Sequence, residues 1–142
     1  MKKTVVIFLL IATIALSLSP CSLAAYEDEY NHQEMIEPRY EVISYITTIM
    51  IISDSGLADC EAAATTYPGY RAEILAELQR LEGRSWVTIK DWTGAGNEYA
   101  ETSGYWYVMP GYSYRLKATV TIYDTYNKIV ETEVEYSNIE EY

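Results

Sequence analysis

The sequence predicts an all-β fold, a two-sheet sandwich of about seven short strands preceded by an N-terminal signal helix. Three observations carry that prediction. From Arg39 onward, segments rich in Val, Ile, Thr and Tyr alternate apolar with polar residues, the period of a half-buried strand. Clusters of turn residues punctuate them about every 8–12 residues. The first 24 residues have the three-part layout of an export signal.

That signal comes first in chain order. Lys2 and Lys3 form a basic start, Thr4 to Leu18 is apolar apart from Thr13 and Ser17, and Ser19-Pro20 breaks the helix. Ser22-Leu23-Ala24 then offers the small residues a signal peptidase requires. The apolar run is shorter than the ~20 residues of a spanning helix. An alternative processing route rests on Leu18-Ser19-Pro20-Cys21, which resembles a lipoprotein cleavage box that would lipidate Cys21. Pro20 there stands where a small residue belongs. Cleavage after Ala24 removes two basic residues and no acid, taking the formal charge from −11 to −13, and leaves Cys60 as the single cysteine. Roughly 118 residues remain, the size of one domain. The expected organisation is signal 1–24, acidic flexible leader 25–38, sandwich 39–138 and acidic tail 139–142.

Each strand has its own signal. Glu41 to Ile52 is dense in Ile, Val, Thr and Tyr. After the Ser53-Asp54-Ser55-Gly56 turn, Leu57 to Thr66 places Ala58, Cys60, Ala62 and Ala64 on one face and Asp59 and Glu61 on the other. Pro68-Gly69 fits the centre of a type II turn. Arg71 to Glu82 consists of good helix formers, yet every neighbouring segment is a strand, and we read it as a strand. Trp86 to Trp92 alternates, Thr93 to Asn97 reads as a loop, and a short strand lies within Tyr99 to Met109. Pro110-Gly111 repeats the type II signal. Tyr112 to Tyr123 sets Leu116, Ala118, Val120 and Ile122 against Arg115, Lys117, Thr119 and Thr121. Asp124 to Asn127 turns the chain into Lys128 to Ser137, where Val130, Thr132, Val134 and Tyr136 alternate with Glu131, Glu133 and Glu135.

Tyr114, two residues before Leu116 and just after Pro110-Gly111, resembles the tyrosine corner of immunoglobulin-like and fibronectin III-like sandwiches. In that fold Cys60 and Leu116 would occupy the positions that often hold the inter-sheet disulfide, so Cys60, Tyr114 and Leu116 become structural residues and the disulfide is absent. The resemblance also puts Tyr112 to Tyr123 between Arg71 to Glu82 and Lys128 to Ser137. It thereby sets Arg115 and Lys117 between Glu73 and Glu77 on one side and Glu131, Glu133 and Glu135 on the other. Leu81 to Asn97 followed by Gly111 to Tyr123 is similar to a family of small exported proteins of Gram-positive bacteria. Its members share a signal peptide, a Cys-bearing second strand, a Trp…Trp segment and a Gly-Thr-Tyr-Arg-like strand. The likeness covers most of Arg39 to Tyr136 and implies fold without an activity. The helix-forming composition of Arg71 to Glu82 and the acidity depart from that family.

The chemistry the chain can support is narrow. His32 is the single histidine and falls in the leader, so no folded catalytic base of the Ser-His or Cys-His kind is expected. Zinc lacks ligands, calcium lacks a clustered oxygen set, and Gly94-Ala95-Gly96 lacks the strand–helix context of a phosphate loop. No catalytic residue, metal or cofactor is expected. A hydrolase would need two carboxylates, and Glu98 with Glu101 is the least implausible pair. The acidic balance argues against nucleic acid and anionic membranes. Fifteen tyrosines against one phenylalanine leave the aromatics as the functional signal. Trp86, Trp92, Tyr99, Tyr105, Trp106 and Tyr107 are the candidate binding residues, although one of the three tryptophans filling the core would explain part of them. The expected protein is a secreted, extracellular, monomeric and non-catalytic interaction module for a protein or peptide partner. The alternative is a carbohydrate-binding module using the same rings, and a glycoside hydrolase is a distant third.

Overall fold

The computed structural model describes residues 40–142, so the signal, the leader, Cys21 and His32 lie outside the described residues. Eight strands run in order: β1 (Ile43–Ile52), β2 (Leu57–Thr66), β3 (Arg71–Glu82), β4 (Ser85–Asn97), β5 (Tyr99–Tyr107), β6 (Ser113–Tyr123), β7 (Ile129–Tyr136) and β8 (Glu140–Glu141). They form two antiparallel sheets. One is β1-β2-β5; the other is β4-β3-β6-β7, with β8 pairing to β6.

The turns behave as their residues demand. Gly69 and Gly111 have φ of 91° and 89° behind their prolines, the left-handed conformation a type II turn needs at its third position. At the β6–β7 turn the Asp124 carboxylate accepts from the amides of Tyr126 and Lys128 at 2.8 and 2.9 Å, and Asn127 takes φ 61°. β3 is a strand despite its helix-forming composition. Hydrogen bonded to β4 and β6 on both sides, it buries Ala72, Ile74, Ala76 and Leu78 opposite Ile122, Val120, Ala118 and Leu116. A helix would have buried Leu75 instead, which here faces outward on the opposite face of the sheet.

The two inner faces meet in a core rich in alanine, with Met50, Ile74, Leu78, Leu116, Val120 and Ile122 as its larger side chains. Such small columns leave no space for an indole, and Tyr114 is the largest fully buried side chain. None of the three tryptophans is fully buried, contrary to the alternative that one fills the core; Trp92 packs against it from the side. The Tyr114 hydroxyl donates to the Met109 carbonyl at 2.7 Å and accepts from the Met109 amide at 3.2 Å, which satisfies all three groups. Cys60 is buried opposite Met50 and is a free thiol. Burial, with the Asp59 charge adding to it, pushes that thiol up to about 12. Since the thiolate is the nucleophile, iodoacetamide at about pH 8 is expected to leave Cys60 unmodified in the native protein and to alkylate it fully in denaturant. Rapid alkylation of Cys60 in the native protein, read by peptide mass spectrometry, would contradict that burial.

Two expectations are corrected. Thr93 to Asn97 is not a loop: it continues β4, and Gly94 and Gly96 lie where β4 passes directly against β5. A Cβ on Gly94 would fall 1.9 Å from the Glu101 carbonyl oxygen, and one on Gly96 2.0 Å from that of Tyr99. Next, the glutamates of β7 do not flank Arg115 and Lys117. Glu131, Glu133 and Glu135 pair in register with the inward residues Ile122, Val120 and Ala118, so they lie on the other face. There Glu131 accepts the backbone amides of Glu41, Val42 and Ile43 at 2.9–3.2 Å, fastening the entry to β1 with one carboxylate. The acidic tail 139–142 joins the second sheet. β8 pairs with Ser113 and Tyr114, and Tyr142 exchanges backbone hydrogen bonds with Tyr112.

Candidate functional site

Register alone builds the outer face of the β1-β2-β5 sheet. Because partners in register share a face, its rows read Tyr45–Thr65–Tyr99, Thr47–Ala63–Glu101, Ile49–Glu61–Ser103, Ile51–Asp59–Tyr105 and, at the end, Leu57–Tyr107. Tyr45, Ile51, Tyr105 and Tyr107 are each more than three-fifths exposed. Two columns of large apolar and aromatic side chains, on β1 and β5, therefore flank a central column that carries Asp59 and Glu61. The Tyr99 hydroxyl donates to Glu101 at 2.6 Å, and this charged hydrogen bond is what raises the phenol above its ordinary range.

The six candidate aromatics are not one patch. Tyr99, Tyr105 and Tyr107 share this outer face. Trp106, on the same strand one residue out of phase, points to the other side of the sheet beside Ala58. There the Lys90 ammonium lies 5.4 Å from the Trp106 ring and 5.9 Å from that of Trp92. Trp92 fits because residue 104 is glycine: a Cβ there would meet the indole nitrogen at 2.0 Å. Trp86 sits on the outer face of the β4-β3-β6-β7 sheet, with the Arg115 guanidinium 4.2 Å from its ring and 4.2 Å from that of Tyr136. All three tryptophans are thus engaged with a cation, Trp92 also at the core edge, while Tyr105 and Tyr107 of β5 are about 70% exposed.

Sequence reasoning missed Tyr45, Ile49 and Ile51 as partners of those tyrosines. A signal for them existed. Glu41 to Ile52 is apolar at both phases of its alternation, so one apolar column had to face outward. It also overlooked the charge layout. Every described Lys and Arg lies on β3, β4, β6 or the turns leaving β3 and β6: Arg71, Arg80, Arg84, Lys90, Arg115, Lys117 and Lys128. The three-stranded sheet has none, and its outer face holds Asp59, Glu61 and Glu101.

The outer face of the other sheet is internally satisfied. Lys117 bonds Glu77 at 2.7 Å, as the cross-strand ladder predicted, and Thr88 donates to the same carboxylate at 2.9 Å. Arg115 meets Gln79 at 2.9 Å instead of a glutamate. Glu73 accepts from Arg71 at 2.6 Å and from the Tyr123 hydroxyl at 3.0 Å. The hydrogen bond from Lys117, and secondarily that from Thr88, holds the Glu77 carboxyl below the ordinary carboxylate range against the opposing effect of burial. A carboxylate lowered in this way adds stability that is present above its unfolded pKa and lost as pH falls through the folded one. The stability gap between wild type and E77Q in urea melts should therefore shrink from about pH 7 to about pH 3. A gap independent of pH would refute the pairing.

The remaining chemistry is sparse. Glu98 occupies the β4–β5 turn at φ 62°, where its amide donates to Tyr70 at 3.0 Å. It lines an open cavity of about 450 Å³ with Arg71, Asn97, Asp124 and Asn127, formed by three turns at one end of the sandwich. Glu101 does not line it, so the pair weighed for hydrolysis shares no cleft. Among the described residues no three His, Cys, Asp or Glu side chains are grouped to hold a metal ion. No protein-family model, curated protein or solved structure matches the chain.

Proposed function

We propose that the protein is a secreted, non-catalytic interaction module, and that a protein or peptide partner binds the outer face of the β1-β2-β5 sheet. The sandwich is immunoglobulin-like, of the fibronectin III kind. Two observations support that assignment: the orders β1-β2-β5 and β4-β3-β6-β7 correspond to the A-B-E and C′-C-F-G sheets of such domains, and Tyr114 closes on the backbone of Met109. Export through Met1 to Ala24, and kinship with small exported bacterial proteins, are parts of the same proposal.

The observation that carries the binding reading is the gathering of Tyr45, Ile49, Ile51, Tyr99, Tyr105 and Tyr107 on one open face, all more than two-fifths exposed. Tyrosine supplies large contact area with a wet end, and exposed apolar side chains grouped on one face mark interaction sites. The face mixes rings, aliphatic groups and carboxylates. A sugar platform would instead present a row of free rings in a groove, and the indoles best suited to that are bound to Lys90 and Arg115.

The test uses the chain from Ala25 onward, immobilised as wild type and as the Ile51→Ser, Tyr105→Ser, Tyr107→Ser variant, against extracellular proteins and a glycan array. Capture of a protein by wild type, lost on the triple variant and kept by a Tyr126→Ser control, is the expected result. Glycan binding that survives the triple variant would overturn the reading.

A further inference from the structure

We propose that the partner segment recognised by this face is a cationic amphipathic helix, docked along β2 with its basic stripe over Asp59 and Glu61. The inference rests on the docking reading above and names its partner chemistry. Three features of the face lead to it.

The first is charge. The face holds Asp59, Glu61 and Glu101 with no Lys or Arg, while all described cations belong to the other sheet and its turns. Cross-strand neighbours of Asp59 and Glu61 are Ile51, Ile49, Tyr105 and Ser103, so neither carboxylate has a cation beside it in register. Opposite charge on a partner would complete the face, steer encounter and fix register. A second copy of this chain is the wrong occupant, because face-to-face pairing would set these carboxylates against one another.

The second is the order of columns. Asp59 and Glu61 occupy two adjacent rows of the middle column, with Ile51 and Ile49 beside them on β1 and Tyr105 and Ser103 on β5; Tyr45, Tyr99 and Tyr107 extend the flanks along the sheet. A complementary surface needs a basic centre with apolar flanks. A single extended strand presents one column per face and cannot supply three. A helix can, since residues three and four apart line a stripe and their neighbours form its borders.

The third is dimension. Neighbouring strands are spaced about 4.8 Å, so β1 and β5 lie about 10 Å apart, close to the about 10–12 Å diameter of a helix. Asp59 and Glu61 are two residues apart on β2, about 6.8 Å, and residues i and i+4 of a helix rise about 6 Å. Nine residues of β5 span about 30 Å, the length of a helix of about 20 residues. Three strands of that length present a footprint of roughly 400 Å², half of the about 800 Å² per partner of a standard interface. The face therefore suits a single helix and not a globular domain.

The probe is a synthetic helical peptide of about 18 residues with Lys at i, i+4 and i+8 between Leu borders, together with its Lys→Glu counterpart. Binding to the chain from Ala25 onward is followed by calorimetry at two salt concentrations. The expected results are binding of the Lys peptide alone, weakened by salt, and a dissociation constant raised about tenfold by Asp59→Asn with Glu61→Gln. Both carboxylates are solvent-facing, so that variant folds; an unchanged urea midpoint checks it. Equal binding of both peptides, lost with Tyr105→Ser and Tyr107→Ser, would overturn the cationic partner while leaving the docking face standing. Binding of neither peptide would also overturn it, and the capture test would then decide the docking reading on its own. Lys-peptide binding unaffected by the carboxylate variant would place the contact elsewhere and reject the inference.

Discussion

Gly94→Ala is expected to destabilise the sandwich by about 3 kcal/mol, one of the largest losses any single added methyl can produce here. The new Cβ would lie 1.9 Å from the Glu101 carbonyl oxygen and 2.7 Å from its carbon, and both belong to backbone that is already paired to β2. A flexible side chain could swing aside; a strand in a ladder cannot. To make room, β4 must lift from β5, and Trp92 two residues earlier would lose its seat on Gly104. The cost is steric contact alone, because Gly94 has no positive φ. Ala95→Ser, on the same strand with its side chain outward, should change stability by no more than about 0.5 kcal/mol. Urea midpoints of the two variants measure the contrast. A Gly94→Ala protein as stable as wild type would mean that β4 and β5 do not touch there.

The second large effect is at Tyr114. Tyr114→Ala empties the largest fully buried position and strands the Met109 carbonyl and amide, for an expected loss of about 4–5 kcal/mol. Tyr114→Phe keeps the ring and removes the hydroxyl alone, with an expected loss of about 1–3 kcal/mol. The difference between the two separates packing from hydrogen bonding. If Tyr114→Phe melts with wild type in urea, the hydroxyl does not close the β5–β6 connection.

Several local features were readable from residue type. Pro68-Gly69 and Pro110-Gly111 predicted their turns because only glycine takes the required φ without strain. Cys60 and its alanines were readable as a buried column because period two leaves no other face for Asp59 and Glu61. β3 could be recognised only from its neighbours, since its own residues favour a helix and two flanking strands overrule that preference. Gly94-Ala95-Gly96 misled for the opposite reason. Glycine marks both loops and close backbone crossings, and the crossing partner, β5, is not a local property of the sequence.

Alternation in Tyr105-Trp106-Tyr107 already separates the indole from the two phenols. What it does not say is that Tyr45, Ile49 and Ile51 stand two strands away on the same face, or that Trp106 meets Lys90. In β7 the alternation of Glu with Val and Thr was plain, yet the inward side was not. A shift of one residue exchanges the two faces, and capture of three amides by Glu131 favours the glutamates inside.

By itself, then, the sequence determined that the described chain is built of strands, where most of them turn, and which columns within each strand belong together, because these follow from backbone sterics and period. Only the tertiary structure decided which columns from different strands become one surface. That depends on register and strand order, which bring residues dozens of positions apart into a single row. The tyrosine and isoleucine columns around Asp59 and Glu61 exist only at that level.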